Sequence, residues 1–310
     1  MQSHLTKPRP VWACWLLALV LMFVACSRQE SDIPYLKRRA SFKTKLIKEG
    51  PTSGGTEPEM YAGDWQIPPE RIQEVTFPSG NLTLKAWVYK PEEALTRKPP
   101  ALVYLHAASA FYAGAMRNCK PFIDAGFVVM TPTRRGANGN PGYYELYMGE
   151  VDDAKAAVRW LAEQPYVDRN RIYAFGWSSG GGISTLLSLM EEVPVKHSGS
   201  SGGLYPPSVF DKWKTVPFDT TDPKEKQMRT LVGNIRWMQH KHYAFIESVN
   251  NETFLTSIAA AKQEMDKGKS WLEIIMVPGD HFTAFPKASE KYLELIKQES
   301  AAGLKDGERE

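Results

Sequence analysis

Three cysteines in 310 residues are too few for a disulfide framework. Cys14 and Cys26 fall near the N-terminus, so Cys119 stands alone in the body of the chain. An intramolecular disulfide is not expected there, and Cys119 is expected as a small buried apolar residue. No Cys/His spacing suits a metal, so no metal centre is expected, and no cofactor. An excess of one charge is also missing. The formal net charge is +3, with Lys7 and Arg9 supplying two of those charges. No basic stripe marks a nucleic-acid surface, so no nucleic-acid partner is expected. No repeat recurs along the chain. The one long apolar run, Val11 to Ala25, falls short of the roughly 20 residues a spanning helix needs.

That run follows the positive Lys7 and Arg9, the layout of an export signal, and residues 1–25 are expected to be a signal peptide. It ends Phe23-Val24-Ala25-Cys26-Ser27. This resembles a bacterial lipoprotein signal, in which a small residue precedes a cysteine that is lipidated and becomes the new N-terminus. Phe23 departs from the usual leucine. The resemblance implies lipid on Cys26 and a mature protein held by it in the bacterial cell envelope, outside the cytoplasm. An uncleaved membrane anchor is the alternative. Residues 26–66 read as a tether. Lys37-Arg38-Arg39, Lys43, Lys45 and Lys48 are basic, and Gly50-Pro51-Thr52-Ser53-Gly54-Gly55 cannot hold regular structure.

Residues 67–300 carry the pattern of a single folded domain, followed by a polar tail at 301–310. Leu82 to Tyr89 alternates as a strand and pairs with Val75-Thr76-Phe77 through the turn Pro78-Ser79-Gly80-Asn81. Strands and helices then alternate. Strands are expected at 101–106, 127–131, 171–175, 195–198, 243–248 and 272–277. Helices are expected near 150–163, after Asp222 and at 286–298. This order predicts an α/β fold with a mostly parallel sheet covered by helices on both faces. Ligands of such sheets bind at the carboxyl ends of the strands. His240 and His242 read onto a helix, where a spacing of two sets them about 200° apart and unable to share a metal.

Two stretches match G-x-S-x-G: Gly176-Trp177-Ser178-Ser179-Gly180 and Gly199-Ser200-Ser201-Gly202-Gly203. A nucleophile elbow needs a buried strand before it and a helix after it. Arg171 to Phe175 supplies the strand for Ser178. Ile183, Leu186, Leu187 and Met190, at helical spacing, supply the helix. The stretch after Ser201 runs into Leu204-Tyr205-Pro206-Pro207, which no helix can continue through. Ser178 is therefore the candidate nucleophile, and Ser201 is expected in a loop.

Further residues carry a family resemblance. Leu105-His106-Ala107-Ala108, Thr133-Arg134-Arg135-Gly136, the helix from Val151 to Leu161, Val167 to Ile172 and Pro278-Gly279-Asp280-His281-Phe282 together resemble the α/β-hydrolases, in the prolyl oligopeptidase and dienelactone hydrolase branches. The resemblance spans about residues 70 to 300. It implies an α/β-hydrolase fold with a small insertion between the sixth and seventh strands. It also implies a serine hydrolase with Ser178 as nucleophile and His281 as base, and an oxyanion hole formed by the backbone N–H groups of Ser179 and of Ala107 or Ala108. The family aspartate position falls on Asn251, which cannot stabilise an imidazolium by charge. Glu252, one residue on, is taken as the triad acid. Tyr143, Tyr144 and Tyr147 either wall a pocket or pack a loop.

The expected substrate is a small ester; a short peptide is the second choice, because no propeller-length N-terminal region is seen. The competing class is a non-catalytic binding module with a degenerate acid position.

Overall fold

The computed structural model describes residues 32–47, 67–107, 111, 113–268 and 270–307. The signal segment, Cys26, Ala108 and the Gly-rich part of the tether lie outside the described residues. The chain divides into two compact units, 1–42 and 43–310. In the first, α1 (Tyr35–Ser41) is a helix within the segment expected as a tether. Its last turn holds Arg38 and Arg39, whose charge complements the partial negative charge of the helix carboxyl end.

The second unit is built on an eight-stranded sheet. Strands β1 (Ile72–Ser79) and β2 (Leu82–Tyr89) form the expected antiparallel hairpin. After β3 (Ala101–Leu105) come two short helices, α2 (Ala113–Arg117) and α3 (Lys120–Asp124), then β4 (Val128–Pro132). Helix α4 (Gly149–Ala162) leads to β5 (Ile172–Trp177), α5 (Ser179–Leu187) and β6 (His197–Ser201). An insertion containing α6 (Pro223–Gln227) precedes β7 (His242–Glu247), α7 (Glu252–Met265), β8 (Leu272–Val277) and α8 (Ala284–Gly307). The strand order is β1-β2-β4-β3-β5-β6-β7-β8, with β3 to β8 parallel. Helices α4 and α5 pack on each other and on the sheet, as do α3 and α8. This is the α/β-hydrolase fold.

Apolar residues explain the burial. Phe122, Phe175, Phe245, Phe285 and Tyr292 form one aromatic core, with Phe175 stacked on Tyr292 at 4.9 Å between ring centroids. Cys119 lies fully buried in the same cluster. Rings of this size bury 150–250 Å² each, so this cluster dominates the burial that holds α8 to the sheet.

Three boundaries differ from the sequence expectation. Strand β6 ends at Ser201, so Ser201 is a buried strand residue and not a loop residue. His242 opens β7 and His240 lies just before it, so neither is helical. Their partners decide this. The Ser198 hydroxyl pairs with His242 Nδ1 at 2.7 Å and His240 Nε2 at 3.3 Å, and the Ser200 hydroxyl pairs with His242 Nε2 at 2.9 Å. Helix α8 continues to Gly307, through the segment expected as a tail. Ala301 and Ala302 are strong helix formers and no proline interrupts them.

The insertion is held by one buried guanidinium. Arg229 pairs with Glu225, lies 3.9 Å above the Phe218 ring, and donates to Thr44 Oγ1 at 2.7 Å and to the Leu146 carbonyl at 2.7 Å. The segment after Phe42, read as tether, is therefore bonded into the second unit. The Lys45 N–H donates to Glu225 at 2.8 Å and Leu46 bridges to Phe218.

Candidate active site

Sheet register brings the candidate residues together. Trp177, Ser201 and Phe245 stand side by side across β5, β6 and β7. One residue beyond Trp177 is Ser178, one beyond Ser201 is Gly202, and two beyond Phe245 is Glu247. All three lie at the carboxyl edge.

Ser178 has φ 54° and ψ −122°, a conformation that strains any residue with a Cβ. Such strain costs on the order of 1–3 kcal/mol. Close packing enforces it. A Cβ on Gly176 would sit 2.1 Å from the Gly180 carbonyl, and one on Gly180 would sit 2.0 Å from the Leu105 carbonyl. Only glycines at both places let α5 turn this tightly against β3. The Ser178 N–H donates to the Ser201 carbonyl at 2.9 Å, which ties the elbow to β6. The second G-x-S-x-G match thus supports the first: Ser201 contributes a backbone carbonyl from inside a strand and forms no elbow. The Ser178 side chain pairs with the hydroxyl of Tyr205, a buried phenol stacked on Tyr147. Of the three tyrosines singled out, Tyr147 reaches this site, whereas Tyr143 is exposed.

His281 lies on the loop after β8. Its carbonyl accepts from Trp177 Nε1 at 3.1 Å, and its ring lies 5.8 Å from the Trp177 ring. Asp280 fixes the turn, accepting from the N–H groups of Phe282 at 3.1 Å and Thr283 at 2.9 Å. These bonds hold the Asp280 carboxyl below the usual carboxylate range.

The carboxylate beside His281 is not the expected one. His281 Nδ1 lies 2.9 Å from Glu247 Oε1, and the Glu247 side chain is 3% exposed. A carboxylate only accepts, so Nδ1 carries the hydrogen and Nε2 is left as the basic nitrogen. Glu252 instead opens α7 and is exposed, and Asn251 is that helix's N-cap residue. A glutamate in the first turn of a helix is stabilised by the helix dipole, which accounts for Glu252 without a catalytic role. The carboxylate that faces His281 therefore comes from the last strand position and not from the loop. The sequence did hold a signal. Glu247 ends the otherwise apolar buried run Tyr243-Ala244-Phe245-Ile246, and a buried carboxylate needs a partner. The two loops are clamped together, with the Val249 N–H donating to the Gly279 carbonyl at 3.0 Å.

Gly202 forms the floor under this pair. Its φ is +61°, and a Cβ there would lie 2.8 Å from His281 Cε1 and 3.3 Å from Glu247 Oε2. Ser179 is the first residue of α5, and Ala107 follows β3, buried; these were the expected oxyanion residues. The loop residue Arg135 is held by carboxylates, at 2.8 Å from both Asp153 and Glu145. No group of three or more metal-ligating side chains occurs among the described residues.

The chain is similar to known proteins over part of its length. Residues 114–226 match the prolyl oligopeptidase family, a span that includes Ser178 and ends before Glu247 and His281. The uncharacterized peptidase YtmA of Bacillus subtilis is 37% identical over 68 residues, 22% of this chain and 26% of that one. Mouse (Mus musculus) dipeptidyl peptidase 8 is 25% identical over 179 residues, 53% of this chain and 18% of that one. The chain thus spans about a quarter or less of these relatives' length. Among solved structures, an acylaminoacyl peptidase of Pyrococcus horikoshii superposes with TM-score 0.57 at 18% identity, covering 73% of this chain and 40% of that one. The Thermogutta terrifontis esterase Est2 superposes with TM-score 0.55 at 18% identity, covering 74% of this chain and 94% of that one.

Proposed function

We propose that this α/β-hydrolase-fold protein is a serine hydrolase acting through Ser178, His281 and Glu247. The contact between the buried Glu247 carboxylate and His281 Nδ1 carries this reading. A serine hydroxyl is a poor nucleophile at neutral pH until a base takes its proton. His281 Nε2 is the base. Ser178 Oγ attacks the acyl carbonyl as its proton moves to Nε2, and the imidazolium that forms is stabilised by Glu247. The proton then passes to the leaving oxygen or nitrogen. Water, deprotonated by the same nitrogen, releases the acyl group. The oxyanion is received by the backbone N–H groups of Ser179 and Ala107. The binding-module alternative drew on an amide, Asn251, at the acid position. With Glu247 against His281 that ground is gone.

The favoured substrate is a small ester with an apolar acyl or alcohol part. Trp177 and Phe282 flank the His281 ring, at 5.8 Å and 5.7 Å between ring centroids, and Phe282 is 70% exposed. A short peptide is the second choice, motivated by the peptidases among the relatives. Lipid attachment at Cys26 and a place in the bacterial cell envelope remain part of the proposal, on the lipoprotein-like sequence alone. Labelling with a fluorophosphonate probe tests the chemistry. Wild type and Ser201→Ala should be labelled and Ser178→Ala should not. Labelling that survives Ser178→Ala would overturn the assignment.

A further inference from the structure

Arg134 is 6% exposed, and no carboxylate pairs with it directly among the described residues. Its Nη2 donates to two acceptors. One is the backbone carbonyl of His106, and the other is Ser179 Oγ at 3.1 Å. The His106 carbonyl and the Ala107 N–H belong to one peptide unit. No cis peptide occurs among the described residues, and in a planar trans unit the N–H points opposite to the carbonyl. Fixing the His106 oxygen therefore fixes the direction of the Ala107 N–H. The next unit is fixed too, because His106 Nδ1 pairs with the Ala107 carbonyl at 2.9 Å. A carbonyl only accepts, so His106 donates from Nδ1. Burial, with Arg134 beside it, pushes the His106 pKa down to about 3, so the ring stays neutral at physiological pH. The second acceptor, Ser179, is the residue after the nucleophile.

We propose that Arg134 is the positioning residue of the oxyanion hole. A single buried guanidinium grips both residues that supply the oxyanion donors. It aims the Ala107 N–H, holds Ser179, and places positive charge behind the site where negative charge develops on the substrate oxygen. Burial lowers the Arg134 pKa, with Tyr144 and Glu150 acting the other way, but a guanidinium remains charged in proteins. In a water-poor site such a charge acts more strongly than at the surface. The neighbouring Arg135 has no such part, because its charge is taken up by Asp153 and Glu145. This inference rests on the serine-hydrolase reading.

The test compares Arg134→Met and Arg134→Lys with wild type, using p-nitrophenyl butyrate as substrate and an aryl trifluoromethyl ketone as a probe that forms an oxyanion adduct. Losing an oxyanion donor lowers kcat by about 10²–10³-fold. Arg134→Met should lose about 10²-fold in kcat with KM within about threefold, and its affinity for the ketone should fall by the same factor as kcat/KM. Arg134→Lys keeps charge and donors, so it should recover about tenfold of that loss, and it carries the test if the methionine variant does not fold. Unchanged kcat in a folded variant overturns the role. So does a loss confined to KM, or undiminished ketone affinity. A wild type that neither hydrolyses the ester nor takes the fluorophosphonate label overturns the hydrolase reading and this inference together. A labelled, active wild type with indifferent Arg134 variants overturns this inference alone.

Discussion

Glu247 meets His281 from a strand terminus, and its length matters there. Aspartate is one methylene shorter and would stop short of an Nδ1 now 2.9 Å away. Replacing a triad carboxylate by its amide costs about 10⁴ in rate while leaving geometry intact. Glu247→Gln should therefore lower kcat by about 10³–10⁴-fold. In the same assay Glu252→Gln should stay within about twofold of wild type, since a surface carboxylate at a helix start contributes under about 1 kcal/mol. Asn251→Asp should give no increase. A large loss in Glu252→Gln with normal activity in Glu247→Gln would reverse the assignment. Gly202 gives a second test. Alanine there strains a positive φ, by about 1–2 kcal/mol, and puts a methyl group against His281 Cε1 at 2.8 Å. Gly202→Ala should thus lose far more activity than its fall in Tm explains. The measurement is kcat at a temperature where circular dichroism shows the variant folded.

Strands β6 and β7 carry a buried polar layer that no catalytic step uses. His242 and His240 share the Ser198 hydroxyl, His242 also pairs with Ser200 and Thr185, and His197 pairs separately with Tyr292. Burial pushes their pKa values down, to about 3 for His242 and about 4 for His240 and His197. For His197 the nearby Glu299 opposes that shift, and burial prevails. In the unfolded chain these rings titrate near 6.5, so between about pH 6.5 and 4 the unfolded state binds more protons. Their contribution to stability is whole above about pH 6.5 and falls as the pH drops towards 4 and below. Urea midpoints should decline between pH 7 and 4.5, and a flat profile would contradict the buried layer. The insertion has its own anchor. Arg229→Met leaves the Glu225 carboxylate buried without its partner, and breaking a buried pair this way costs about 3–5 kcal/mol. Thermal unfolding should show that loss, and a double change of Arg229 and Glu225 to apolar residues should recover part of it.

For the protein as a whole, the proposed lipid on Cys26 sets its place in the cell. If Cys26 bears lipid, a Cys26→Ala change should move the protein from the membrane fraction to the soluble one. Membrane attachment unchanged, with the N-terminus intact, would favour an uncleaved anchor. No described helix is long and apolar enough to cross a membrane.

The linear order of residues was enough for the parts that rest on local chemistry. Alternating apolar runs placed the strands, and the spacing of Ile183, Leu186, Leu187 and Met190 placed α5; all four are buried. The close approach of Gly176 to Gly180 is a contact within one turn, so the motif itself announces the elbow at Ser178. His281 was legible because a short loop between a strand and a helix has one edge to occupy. The carboxylate that faces His281 was not legible, because its identity depends on sheet register. Glu247 faces His281 only because β7 and β8 align Glu247 with Val277 and so bring the end of β7 beside the histidine loop. The link from Arg134 to the His106 carbonyl and to Ser179 joins the ends of three strands, β3, β4 and β5. No spacing along the chain encodes such a meeting, and folding the sheet creates it.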